Sequence, residues 1–96
     1  MQRPSLGIVV PALEAEATIA ATLRALKSDI FTVDLLVVDG GSSDATASMA
    51  RDAGARVMAA PRGRGIQLAA GAREARGDAL LFVHADTVLE AGWDAA

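Results

Sequence analysis

The chain has 96 residues, a formal net charge of -3 and a pI near 4.9. That is enough for one domain, residues 1–96, and it lacks the basic surface that general nucleic-acid binding uses to displace counterions from phosphates. The hydrophobic fraction of 52% is carried by Ala, Val and Leu, with two Phe, one Trp and no Tyr, which predicts a core of small aliphatic groups with helices lying close to a sheet. Cysteine is absent, which excludes a disulfide frame, a thiolate metal site and a cysteine nucleophile. No apolar run approaches the ~18 to 20 residues of a transmembrane helix, so the expected location is cytoplasmic, or membrane-peripheral through something outside the domain.

Along the chain, Leu6 to Val10 is short, apolar and β-branched and reads as a strand ended by Pro11; Glu16 to Lys27 then carries Ile19, Leu23 and Leu26 at helical spacing. Val33 to Val38 is the second strand. Ser43 or Asp44 caps the helix that follows, and Gly54 ends it in a left-handed conformation. Arg56 to Ala60 is a weaker third strand, 61 to 65 an Arg/Gly loop, 66 to 76 an alanine-rich helix stopped by Gly77, and Ala79 to Val83 the fourth strand. A last helix is signalled near Glu90.

Strands alternating with helices imply parallel pairing through right-handed crossovers, hence an α/β fold with an open parallel sheet and helices on both faces. The run Ala79, Leu80, Leu81, Phe82, Val83 has no polar face, the pattern of a strand covered on both sides. In a sheet ordered 3-2-1-4 it is nevertheless an edge.

Two of these strands run into polar clusters, LLVVDGGSSD at 35 to 44 and ALLFVHADT at 79 to 87, as buried parallel strands do where they deliver side chains to the carboxyl edge of a sheet. Asp39, followed by Gly40 and Gly41, can accept a hydrogen from a base or bind its own loop amides in an Asx-turn; the residues alone leave both open. Asp44, before TASMA, reads as a helix cap. His84 and Asp86 lie two apart, so in an extended segment they face one ligand together, and Asp86 suits Mg²⁺ or Mn²⁺, which take oxygen donors and leave room for diphosphate and water. Arg62, Arg64, Arg73 and Arg76 are four of the eight arginines, and Arg64, at a helix amino end beside glycines, is the better placed for phosphate. Neither the dinucleotide glycine fingerprint nor a phosphate-loop lysine motif is present.

Taken in order, VVPALEAEATIAATLRAL, LLVVDGGSSDAT, APRGRGIQLAAGAREARGD and LLFVHADT resemble the amino-terminal part of the family 2 glycosyltransferases. That resemblance implies a Rossmann-like GT-A half that binds a nucleotide-diphosphate sugar for inverting transfer. The subgroup with the same HAD motif is the transferase 2 group associated with radical-SAM and selenium-related proteins. By position, the resemblance implies that Pro11 and its loop line the donor pocket, Asp39 contacts the base, Arg64 lies near the phosphates and Asp86 is the metal ligand for Mg²⁺ or Mn²⁺. His84 stands where the family has the first acid of D-x-D, and an imidazole there can bind a ribose hydroxyl.

The sequence departs from the family at two points. The usual Asn-Glu after the first strand is here Glu14-Ala15, so Glu14 offers its carboxylate one residue early, and Ala69 replaces the Asn that precedes Ala-Gly. The family's general base and acceptor pocket lie in the second half of the fold, so the chain reads as a donor-binding half, truncated or a remnant, inactive alone. The competing reading is a non-catalytic α/β interaction module that kept the fold and lost the pocket. With an apolar fourth strand at the edge, a homodimer or higher oligomer is expected.

Overall fold

The computed structural model describes residues 3–95, so residues 1, 2 and 96 of the expected domain lie outside the described residues. It contains β1 (Ser5–Ala12), α1 (Ile19–Arg24), β2 (Thr32–Asp39), α2 (Thr46–Asp52), β3 (Arg56–Ala59), α3 (Arg64–Glu74) and β4 (Ala79–Phe82). The strands form one parallel sheet in the order β3-β2-β1-β4, as the alternating pattern predicts. From β1 the chain steps outward through α1 and α2 to β3, then α3 carries it back across the sheet to β4. Right-handed crossovers in opposite directions place their helices on opposite faces. Accordingly Ile19, Leu23, Leu26 and Ala50 of the first two helical segments pack with Ile8, Val10 and Val37 on one face, while Ala70 of α3 packs with Val9, Leu36 and Val38 on the other.

β1 is the centre of this arrangement. Ile8, Val9 and Val10 are fully buried, each contributing on the order of 1.5–3 kcal/mol by removal from water. Pro11, expected to end the strand, lies inside it. The Val9 carbonyl accepts from Val83 N–H on the β4 side, and the Ala12 carbonyl accepts from Gly40 N–H on the β2 side. Odd residues of β1 therefore face β4, whose pairing stops at Val9 with Phe82. The missing N–H of Pro11 falls where no strand asks for it.

Both flanking helices differ from their expected spans. α1 begins only at Ile19 because its first turn serves tertiary contacts: Glu16 N–H bonds Asp44 and the Thr18 hydroxyl bonds the Ala85 carbonyl. α3 starts at Arg64 and stops at Glu74, where Ala75 turns extended. It lies close on the sheet because Gly71 has no side chain; a Cβ there would meet Val9 Cγ1 at 2.4 Å and Val38 Cγ2 at 2.9 Å. α3 covers β1 and β2 but not β4, so Leu80 and Phe82 are 41% and 49% exposed, against the expectation of a strand covered on both sides. Near Glu90 the chain forms a short 3₁₀ turn, Trp93–Ala95, and not a full helix. Leu89 and Trp93 pack on the α1 face, and Trp93 Nε1 donates to the Ala25 carbonyl at 2.9 Å.

At the opposite end of the sheet from the strand carboxyl ends, Arg56 donates to both oxygens of Asp34 at 2.8 and 2.7 Å, and Asp34 also accepts the Arg76 amide. The Arg56 hydrogen bonds, with the Arg76 amide behind them, hold the Asp34 carboxyl below the usual carboxylate range. Because the folded state lowers this pKa, the stabilisation is complete above about pH 4 and disappears as the pH falls through the folded-state value. Asp34→Asn is expected to cost about 1 kcal/mol at pH 7 for a partly exposed charged pair, with the deficit shrinking on acidification when urea midpoints are compared across pH. A sterically opposite pair tests the helix packing. Gly71→Ala is expected to lose about 1–3 kcal/mol by overpacking, whereas Gly65→Ala, with nothing within 4 Å of its Cβ, is expected to gain roughly 0.5 kcal/mol from helix propensity.

Candidate functional site

The carboxyl ends of β1, β2 and β4 share one edge, and the connection reverses direction between β1 and β4. In open α/β sheets such a reversal opens a crevice. A cleft of about 510 Å³ lies there, lined by Pro11 to Ala15, by Ala17 and Thr18 at the start of α1, by Arg62, Gly63, Arg64 and Gln67, and by His84 to Asp86. Five of the six site residues expected from the sequence, Pro11, Glu14, Arg64, His84 and Asp86, therefore meet around one space. Asp39 does not line it.

The Asp39 carboxylate instead binds its own loop. Ser42 N–H reaches both oxygens at 3.3 and 3.2 Å, and the Ser42 hydroxyl donates to Oδ1. The same Ser42 Oγ accepts from Glu14 N–H at 2.9 Å, which ties the Asp39 turn to the wall of the cleft. Glu14 itself has φ 51, a left-handed conformation that costs a non-glycine residue about 1–2 kcal/mol. Its carboxylate accepts from Ser43 N–H at 2.6 Å and from the Ser43 hydroxyl at 3.0 Å. These bonds hold the strained turn. Asp44, expected as the helix cap, stands one residue before the N-cap, Ala45, which has no side-chain cap; it accepts the Thr46 amide and hydroxyl, and the Glu16 amide, and the Thr46 hydroxyl bond holds its carboxyl below the usual range.

His84 and Asp86 share the cleft by a different geometry from the extended alternation expected. Thr87 N–H closes on the His84 carbonyl at 3.1 Å, so residues 84 to 87 form a turn. The turn is fastened to α1 by two hydroxyls one helical turn apart, Thr18 Oγ1 at 2.9 Å and Thr22 Oγ1 at 2.8 Å from the Ala85 carbonyl. Neither the imidazole nor the Asp86 carboxylate is hydrogen-bonded among the described residues, and both are exposed. No group of three or more His, Asp or Glu side chains is gathered for a metal among the described residues.

Gln67, which periodicity presents only as a polar residue in an alanine-rich helix, is the residue that sequence reasoning misses. It is 4% exposed. Its Nε2 donates to the carbonyls of Ala12 at 3.0 Å and Val38 at 2.9 Å, and its Oε1 accepts from Gly63 N–H at 3.2 Å. One side chain thereby joins the ends of β1 and β2 to the Arg/Gly loop. Gly40 has to be glycine for this, since a Cβ would stand 2.9 Å from Gln67 Oε1. Arg62 and Arg64 are exposed on that loop and take part in no ion pair among the described residues.

The chain belongs to glycosyl transferase family 2, which it matches over residues 7–95. It is 30% identical over 88 residues to Protein RfbJ of Shigella flexneri, covering 91% of this chain and 68% of that protein. It is 32% identical over 95 residues to glucosyl-3-phosphoglycerate synthase of Mycolicibacterium paratuberculosis, covering 88% of this chain and 29% of the synthase. The synthase of Mycobacterium tuberculosis, solved in complex with Mn²⁺, uridine diphosphate and glucosyl-3-phosphoglycerate, superposes with a TM-score of 0.77 at 29% identity, over 85% of this chain and 33% of that one. The chain thus spans about two thirds of one relative and about a third of the other and of the solved structure.

Gln67→Ala removes three hydrogen bonds and leaves the Gly63 amide without its acceptor, while the Ala12 carbonyl keeps the Gly40 amide. The expected loss is on the order of 3 kcal/mol, seen as a lowered urea midpoint. Gln67→Glu, which keeps the Gly63 bond but sets a carboxylate against two carbonyls, is expected to be at least as damaging at pH 7 and to recover as the pH is lowered.

Proposed function

We propose that the chain is the donor-binding half of a sugar transferase, holding a nucleotide-diphosphate sugar together with Mg²⁺ or Mn²⁺ in the cleft between β1 and β4. The observation that carries this reading is the convergence of a carboxylate, Asp86, and two guanidinium groups, Arg62 and Arg64, none of them in an ion pair among the described residues, around one cleft at the sheet's switch point. Diphosphate is the ligand whose charge suits both: its oxygens satisfy the arginines and complete a cation's shell beside a single carboxylate. The cation would be held by Asp86, with His84 beside it on the ribose; it would neutralise the charge that builds on the diphosphate as it leaves the sugar. Pro11 and Glu14 would line the donor pocket and Asp39 would accept a hydrogen from the base. The synthase of Mycobacterium tuberculosis, solved with Mn²⁺ and uridine diphosphate, supports this choice of ligand.

Inversion, the course the resemblance implies, needs a base in line with the acceptor hydroxyl. Glu14 is committed to Ser43, and Asp86 is assigned to the cation. The chain, residues 1–96 as a single donor-binding domain of the HAD subgroup, is therefore expected to bind donor without turning it over, in the cytoplasm or at a membrane surface through another component. Calorimetry with uridine diphosphate, with and without Mn²⁺, tests this. Saturable, Mn²⁺-enhanced binding is expected, Asp86→Ala is expected to abolish the enhancement, and Asp39→Ala to weaken uridine binding even without metal. No heat at millimolar nucleotide would end the proposal.

Ala15 favours a second reading, a non-catalytic interaction module. The family's glutamate position is filled by a methyl packed against the core, with its amide on the Thr46 hydroxyl at 2.8 Å. That reading expects no thermal shift with nucleotide and Mn²⁺, whereas donor binding raises the melting temperature. Under either reading we propose two-fold pairing through the β4 edge, supported by the exposed Leu80 and Phe82. Leu80→Lys is expected to convert a dimer in light scattering to a monomer; a monomeric wild type at high micromolar concentration would overturn it.

A further inference from the structure

The Ala85 carbonyl is unusual in receiving two side-chain hydroxyls from one helix. Thr22 is fully buried, with its hydroxyl on that oxygen at 2.8 Å, and Thr18 adds a second bond at 2.9 Å with a longer contact, 3.4 Å, to the Ala15 carbonyl. Two donors fill the two lone pairs of a carbonyl oxygen. Ala85 is then unavailable as a metal ligand, and its peptide plane is fixed relative to α1. All peptide bonds described are trans, so the Asp86 N–H points opposite to the Ala85 C=O. It is therefore directed away from the Thr18 and Thr22 hydroxyls, at a residue that lines the cleft, and it has no acceptor among the described residues.

We infer that Thr18 and Thr22 are positioning residues that aim the backbone amide of Asp86 into the cleft as a diphosphate-binding donor. The inference rests on the donor-site reading above and deepens it. The amide and the carboxylate of one residue would then act on one ligand, the N–H on a phosphate oxygen and the carboxylate on the cation. Buried hydroxyls on a helix are not needed to satisfy their own element, and Thr22 is costly to bury unless its bond does something. A fixed peptide plane explains its place better than packing alone, for which valine has the same shape.

The test uses the full chain with ¹⁵N-labelled backbone and two probes, uridine diphosphate with Mg²⁺ and inorganic pyrophosphate with Mg²⁺. Both are expected to shift the Asp86 amide resonance and slow its exchange with solvent. Thr22→Val, and Thr18→Val with it, are expected to cut pyrophosphate affinity about tenfold, the usual scale for losing a group that orients a ligand, while uridine affinity stays within error. Thr22→Ser, which keeps the hydroxyl, is expected to restore the diphosphate affinity; a loss through destabilisation alone would weaken uridine and pyrophosphate together. If uridine diphosphate binds and the Asp86 amide does not move, the inference is overturned and the donor site stands. Should pyrophosphate move the amide where the nucleotide fails to bind, the inference stands and the donor site falls. Binding of neither probe overturns both.

Discussion

The whole cleft hangs on three hydrogen bonds made by Gln67. A parallel sheet delivers its strand ends to one edge, but it does not say how far apart they stand or where the connecting loops lie. Here the carbonyls of Ala12 and Val38, at the last rungs of the β1–β2 ladder, both also accept from one amide group, and the other end of that amide holds Gly63. The spacing of β1 and β2, the seat of α3 and the path of the Arg/Gly loop therefore become one constraint. A buried polar side chain is tolerable only when every group it carries is paired, and pairing is what makes it specify a geometry that an apolar residue would leave loose.

A second tie acts across the cleft. α1 holds the 84–87 turn through Thr18 and Thr22 as α3 holds the two strand ends through Gln67. The helices lie on opposite faces of the sheet, so the ligand space is walled by two independently fastened parts with β1 between them. The domain's net charge is negative, but the cleft carries Arg62 and Arg64, which take part in no ion pair among the described residues. Local placement, and not overall charge, decides what can bind there.

The strands, the helix order and the sheet order are legible in the sequence because they follow from apolar runs, glycine punctuation and crossover handedness. Five of the candidate residues come to one cleft because each lies in or beside a segment that leaves the carboxyl end of a strand. What the sequence hid was mostly side chains acting on distant backbone. Gln67 looks like a surface position in an alanine-rich helix, and Thr18 and Thr22 look like ordinary turns of α1; none carries a local signal, since their partners lie 55, 67 and 63 residues away. Pro11 was misread because a proline in a strand is forbidden only where its N–H would have met a neighbour. The exposure of β4 was hidden for a similar reason: periodicity reports how apolar a strand is, not which helix reaches it. His84 and Asp86 line one cleft, but through a turn and not through the alternation expected of an extended segment.

Asp39 remains the point where two readings of one residue have to be reconciled. Its Asx-turn with Ser42 is fully formed, and that turn passes through Ser42 Oγ to the left-handed Glu14. A carboxylate offers about four acceptor positions. Ser42 makes three contacts, two of them to Oδ1, so Oδ2 holds only the amide contact at 3.2 Å. The turn and a base are then not rivals. The loop bonds fix the carboxylate's orientation and leave Oδ2 with spare acceptor capacity, so the donor-site proposal does not require the turn to break. The same chain of contacts links occupancy of Asp39 to the backbone strain at Glu14, on the wall of the cleft where the diphosphate would lie.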